Sequence, residues 1–155
     1  MPTLAQLQKV WLLSDTVLYP EAVAFIRKLV REQECDPLPT SQVAGLLSIA
    51  ESLRYDELYR FILHQRERNW PPGKRDIKTF YTALEEVLGV MRRKRLKDEF
   101  RLLDGVSAGE LKQETDALMA LLAREFIQHL VAENGLVAAE LADQHAHQRS
   151  SRRQV

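Results

Sequence analysis

Apolar residues recur every three or four positions from Ile77 through Phe80, Leu84, Val87 and Leu88 to Met91, with Tyr81 on the flank. That spacing gives a helix one apolar face. The same helix runs on into Arg92, Arg93, Lys94, Arg95 and Lys97, so a seam fit for burial continues into a concentrated positive end. Thr3 and Gln6 stand at capping-box spacing around the start of a first helix carrying Leu4, Leu7, Val10 and Trp11. Ser14, Asp15 and Thr16 break that helix or cap a new turn, and Pro20 fits the first turn of a second. Val23, Ile26, Leu29 and Val30 mark its buried side. Asp36 to Pro39 is a short break before a third helix that opens at Thr40 or Ser41 and carries Val43, Leu46, Leu47, Ala50 and Leu53, with Gly45 inside it.

A fourth helix starts near Tyr55 or Asp56 and shows Leu58, Phe61, Ile62 and Gln65 along one side. Trp70, Pro71, Pro72 and Gly73 predict a stiff turn. Asp76 is the expected cap of the long helix that follows, which ends near Phe100 or kinks before Leu103. Ser107 and Glu110 form a second capping box ahead of Leu111, Leu118, Leu122, Phe126, Ile127 and Leu130. Asn134-Gly135 predicts a stop, with a short final helix over residues 136–141. No stretch alternates with the period of a strand, and no segment repeats. The pattern predicts an all-α chain, a compact bundle of five to seven helices in one domain over residues 1–143. A flexible basic tail is expected over 144–155, ending in Arg149, Arg152, Arg153 and Val155.

Composition narrows the function more than it names it. A 155-residue chain with 45% hydrophobic residues can fill a core of its own. Its formal net charge of zero argues against a uniformly basic nucleic-acid binder, while leaving room for a basic patch. One cysteine, Cys35, cannot form an internal disulfide, and its acidic surroundings lack the base that a thiol nucleophile needs. No signal-peptide pattern and no membrane-length apolar run is visible, so the cytoplasm is the expected location.

The chemistry-bearing residues do not assemble into a recognisable catalytic set. His64, His129, His145 and His147 match no metal-binding spacing. Glu110 and Glu114 share a helix face, as acidic residues in a first turn often do. No phosphate-binding glycine loop and no nucleophile elbow is present. The expectation is a protein without catalytic activity, cofactor or metal.

The basic groups point further. Five of the six residues from Arg92 to Lys97 are positive, more than a helix dipole requires. A phosphate backbone can be held by such a row without base recognition. Arg66, Arg68, Lys74 and Arg75 form a second group around Trp70, whose ring either stacks on a base or plugs the bundle end with its nitrogen bonded to a loop carbonyl. About 22 residues separate the two groups along the helix, roughly 33 Å, so one compact patch is not expected. From Ser107 to Asp143 the balance reverses, and that acidic stretch is an alternative partner for the basic one. The candidate nucleic-acid residues are therefore Arg66, Arg68, Trp70, Lys74, Arg75, Arg92, Arg93, Lys94, Arg95 and Lys97. Leu4, Leu7, Val10 and Trp11 are the candidate oligomer interface, because the first helix looks more apolar than one small bundle needs.

In length, in the helix opening at Pro39-Thr40-Ser41-Gln42, and in the arginine-rich ends of its later helices, the chain resembles the small helical subunits of type III CRISPR effector complexes. The resemblance covers the middle of the chain and carries no signature residues. It implies a non-catalytic subunit that contacts RNA or single-stranded DNA inside a nucleoprotein assembly. Protein scaffolding or homodimerisation without nucleic-acid binding is the alternative.

Overall fold

The computed structural model describes residues 1–154; Val155 lies outside the described residues. Five long helices form an all-α bundle. Helix α1 runs over residues 4–32, as α-helical Leu4–Leu13 and Tyr19–Arg27 alternating with the π-helical segments Ser14–Leu18 and Lys28–Glu32. Helix α2 is Thr40–Glu51 and α3 is Tyr55–Glu67. A 3₁₀ turn at Pro72–Lys74 leads into α4, residues 75–99, which is α-helical over Arg75–Val90 and π-helical over Met91–Glu99. Helix α5, Leu111–Arg153, has 43 residues.

Several local signals take a different form from the one expected. Thr3 and Gln6 do form the capping box, with both reciprocal hydrogen bonds present. Ser14 to Thr16 do not end the first helix, and Pro20 does not start a new one. The ring of Pro20 needs space from the preceding turn, and the wider π-helical turn just ahead of it, where the Tyr19 amide donates to the Ser14 carbonyl, keeps the helix continuous. Asp76 is not the cap of α4, because the helix already begins at Arg75; its Oδ2 instead accepts from the Asp36 amide at 2.8 Å. Ser107 and Glu110 form a backbone turn, and α5 starts after them without a side-chain cap.

Asn134-Gly135 is not a stop. The Asn134 side chain is buried and grips the chain at Leu38: its Oδ1 accepts from the Leu38 amide at 2.8 Å and its Nδ2 donates to the Leu38 carbonyl at 3.0 Å. An asparagine committed to another segment has no side chain left with which to compete for its own helix backbone. Helix α5 therefore continues through Gly135 to Arg153, and every described side chain from Ala142 onward is exposed. Gly135 itself is an exposed helix-interior glycine, and a Cβ added there meets nothing within 4 Å. Gly135→Ala is expected to raise stability by about 1 kcal/mol through helix propensity alone. A urea midpoint that fails to rise would show that this part of α5 does not form in solution.

The order of contacts fixes the topology. Residues of α1 meet residues of α5 in the same direction along both chains: Ser14 with His129, Arg27 with Glu133, Arg31 with Glu140. The two helices are parallel. Helix α4 runs the opposite way to both α1 and α3, pairing Glu21 with Arg95 and Phe25 with Phe80 on one side, and Tyr55 with Arg92 and Phe61 with Tyr81 on the other. The core is built from Leu18, Ile26, Leu46, Ile62, Tyr81, Leu84, Leu88, Leu118 and Phe126, each nearly inaccessible. The Tyr81 hydroxyl donates to Gln42 Oε1 at 3.0 Å, and burial pushes its pKa well above the ordinary tyrosine value. No helix among the described residues is long and apolar enough to cross a membrane.

Candidate nucleic-acid interface

The seam of α4 points its apolar residues inward, and the opposite side of the helix is a solvent ridge. Arg75, Lys78, Thr82, Glu86, Arg93, Lys94 and Lys97 are exposed along it. Arg75, Lys78, Thr82 and Glu86 follow one another at steps of three or four on one face of the α-helical part, and Arg93, Lys94 and Lys97 stand on its π-helical end. The two basic groups separated in sequence therefore lie at the two ends of one ridge. Among the described residues, none of the five cations in that row has a carboxylate within ion-pair distance, although Glu86, Asp98 and Glu99 are also exposed on the same helix, Glu99 being taken up by Arg95. Near the centre of the ridge stands Gly89. A Cβ placed there would lie 2.8 Å from Nη1 of Arg93, so the missing side chain lets that guanidinium lie back along the helix.

Three of the arginines singled out in the sequence face elsewhere. Arg95 donates from Nη1 and Nη2 to the Glu21 carboxylate, both at 2.7 Å, and from Nε and Nη2 to Glu99 at 2.6 and 2.9 Å. Its guanidinium also lies over the Phe100 ring, 4.7 Å from the centroid. Only 16% of the side chain remains accessible, and the hydrogen bonds to Glu99 and Glu21 raise its pKa above the ordinary arginine value. Arg92 pairs with Asp116 at 2.6 Å and covers the Tyr55 ring at 5.0 Å. Burial raises the Tyr55 pKa, and the Arg92 charge opposes that rise. Arg66 is paired with Glu85 and with Glu67. These three hold α4 to α1, α5 and α3, and so the acidic stretch after Ser107 does supply one partner, Asp116, from within the chain.

The turn before α4 builds a groove of about 680 Å³. Arg68 and Trp70 line it from the turn, Arg75 and Lys78 line it from α4, and Gln33 and Glu86 are among the other lining residues. The Trp70 ring packs against the core, and its Nε1 donates to the Gln65 carbonyl at 2.7 Å. The guanidinium of Arg68 lies over this ring, 4.5 Å from its centroid. Lys74 is exposed at the rim of the turn, outside that groove lining.

The first helix divides its four candidate interface residues. Val10 is 1% accessible and belongs to the core of its own chain, and Leu7 is half-buried. Leu4 and Trp11 are exposed at 66% and 51%, and two residues outside that set, Leu12 and Tyr19, extend the exposed apolar stripe. Leu12 follows Trp11 in the same apolar run, and its exposure is decided by the side on which the other helices pack.

One polar cluster was not legible at all. Ser14 Oγ stands 2.8 Å from Nε2 of His129 and 3.3 Å from Oε2 of Glu125, and the Tyr19 ring meets His129 edge-on at 5.2 Å. A single hydroxyl proton cannot serve both neighbours as donor. If it goes to Glu125, Nε2–H of His129 donates to Ser14 Oγ. The carboxylate contacts the serine rather than the second imidazole nitrogen, and Ser14 is buried in a helix, so the trio lacks the order of a nucleophilic relay. Cys35 is buried, and its thiol pKa is pushed up by desolvation, with Asp76 and Asp36 acting the same way. A protonated, shielded thiol is a poor nucleophile. Among the described residues no three histidine, cysteine, aspartate or glutamate side chains converge as a metal site. No protein-family model, no curated protein and no solved structure matches this chain.

Proposed function

We propose that this chain is a non-catalytic helical subunit that holds a nucleic-acid strand along the solvent ridge of α4. The single observation behind this reading is the sorting of the basic residues. Arg66, Arg92 and Arg95 are absorbed by internal carboxylates, while Arg75, Lys78, Arg93, Lys94 and Lys97 remain exposed along α4. Internal ion pairs explain structural arginines; they do not explain cations left without partners at both ends of one ridge. Phosphates spaced along a strand meet such a row without any need for base identity. The same role is what the likeness to small subunits of type III CRISPR effector complexes implies.

Titration of labelled single-stranded RNA, single-stranded DNA and duplex DNA at several salt concentrations tests it. The expected result is binding that weakens steeply as salt rises. Changing Arg93, Lys94 and Lys97 together to glutamate should weaken it at least tenfold and flatten the salt dependence, with the helical circular dichroism unchanged. Arg92 and Arg95 are unsuitable for this test, because they carry internal ion pairs to Asp116, Glu21 and Glu99, and their loss is expected to weaken the fold. The absence of binding by the wild-type chain at low salt would remove the proposal. The exposed stripe of Leu4, Trp11, Leu12 and Tyr19 favours a second reading, protein scaffolding or self-association through α1. Light scattering that reports a dimer dissolved by Trp11→Glu, together with no nucleic-acid binding, is the result that would favour it.

A further inference from the structure

Three arginines lie over aromatic rings: Arg92 on Tyr55, Arg95 on Phe100 and Arg68 on Trp70. The first two are also tied to carboxylates. Arg68 has no carboxylate partner among the described residues and is exposed. Its inner face is backed by an indole that cannot easily turn, since Nε1 of Trp70 is bonded to the Gln65 carbonyl. The guanidinium is therefore a planar cation backed by the indole, and it lines the groove that Arg75 and Lys78 share.

A simple anion site needs only point charges. A supported planar cation offers something more specific, because a nucleobase stacks on a guanidinium plane as it does on an aromatic ring. Across the groove, Arg75 and Lys78 supply the positive charge that a neighbouring phosphate requires. Glu86 at the far end disfavours phosphate there and sets the anion toward the Arg75 side. A duplex keeps its base faces inside its own stack, so only an unpaired base can use that plane. We propose that this groove seats an unpaired nucleobase on the guanidinium of Arg68, with its phosphate between Arg75 and Lys78, so that the ridge selects single strands over duplex. The inference rests on the strand-binding reading of α4 and adds the basis of its selectivity.

The deciding measurement compares an oligouridylate, an oligothymidylate, an abasic strand and a duplex, all of equal length, by fluorescence anisotropy at one salt concentration. The wild-type chain should bind both base-bearing strands about tenfold more tightly than the abasic strand or the duplex. Arg68→Lys keeps the charge and removes the plane. It should abolish the preference for bases, leave abasic-strand affinity unchanged and retain the wild-type circular dichroism. In a Trp11→Phe background, the remaining Trp70 emission should change with the base-bearing strands and not with the abasic one. Equal affinity for abasic and base-bearing strands, a duplex bound as tightly as either single strand, or an Arg68→Lys variant that keeps the base preference, overturns this inference alone. Failure to bind any of the probes overturns the strand-binding reading as well.

Discussion

Asn134→Ala lowers the unfolding free energy by about 3 kcal/mol, read as a shift in the urea midpoint at unchanged slope. The side chain satisfies both backbone groups of Leu38, and both bonds are buried. Removing it leaves a donor and an acceptor in an apolar setting, each costing about 1–3 kcal/mol when unpaired. The better helix propensity of alanine returns only about half a kcal/mol. Asn134→Leu fills the space and still cannot bond to Leu38, so it should be destabilised to a similar degree. A leucine variant as stable as the wild type would show that the loop does not depend on this grip. The loop at stake joins α1 to α2, and its Asp36 amide is held by Asp76 at the start of α4. Loosening it should therefore disturb the turn that shapes the Arg68 groove.

Arg95→Ala is expected to cost about 2–3 kcal/mol, against less than about 0.5 kcal/mol for Arg93→Ala two positions earlier. Arg95 joins α4 to α1 through a bidentate pair with Glu21, and it closes the end of α4 through Glu99 and Phe100. Both carboxylates keep substantial water contact and can rehydrate after the arginine is gone, which holds the loss below that of a sealed ion pair. The cation–ring contact adds about 0.5–1 kcal/mol. The pH dependence follows from Glu99, whose pKa is lowered chiefly by the hydrogen bonds from Arg95. A carboxyl with a folded-state pKa below its unfolded value stabilises the fold above the unfolded value and loses that contribution as pH falls through the folded one. Wild-type stability should thus decline below about pH 4 from this site, and Arg95→Ala should remove that component. Equal losses in Arg93→Ala and Arg95→Ala would contradict the division between structural and exposed cations.

The sequence made the helical seams visible because burial leaves a period. Ile77, Phe80, Leu84, Leu88 and Met91 follow it and are all buried. The Thr3 capping box was visible for a similar reason, since its partners are three residues apart. Signals that depend on distant segments were misleading. Pro20 reads as a helix start until a π-helical turn is known to precede it. Asn134-Gly135 reads as a stop until Leu38 is known to occupy the asparagine. Arg92 and Arg95 read as surface charge because Asp116 and Glu21 lie 24 and 74 residues away along the chain. What separates them from Arg93 and Lys97 is the rotation of α4 against its neighbours, which no count of charges reveals. The Arg68–Trp70 pair is local, yet its meaning depends on the missing carboxylate, a property of the folded surroundings.

The parallel alignment of α1 with α5 has a consequence for biosynthesis. Ser14 and His129 are 115 residues apart in the chain. At a translation rate of about 5–20 residues per second, roughly 6–23 s pass between the synthesis of one and the other. During that interval the core-facing residues Leu18, Ala22 and Ile26 lack their final neighbour. The chain cannot complete its core in the order in which it is made, and contacts of such long sequence separation slow folding relative to a bundle of hairpin-connected helices. A nascent chain arrested before Leu111 should therefore be more readily cleaved within α1 than the finished protein, and its first helix should be a preferred site for a chaperone that binds apolar segments.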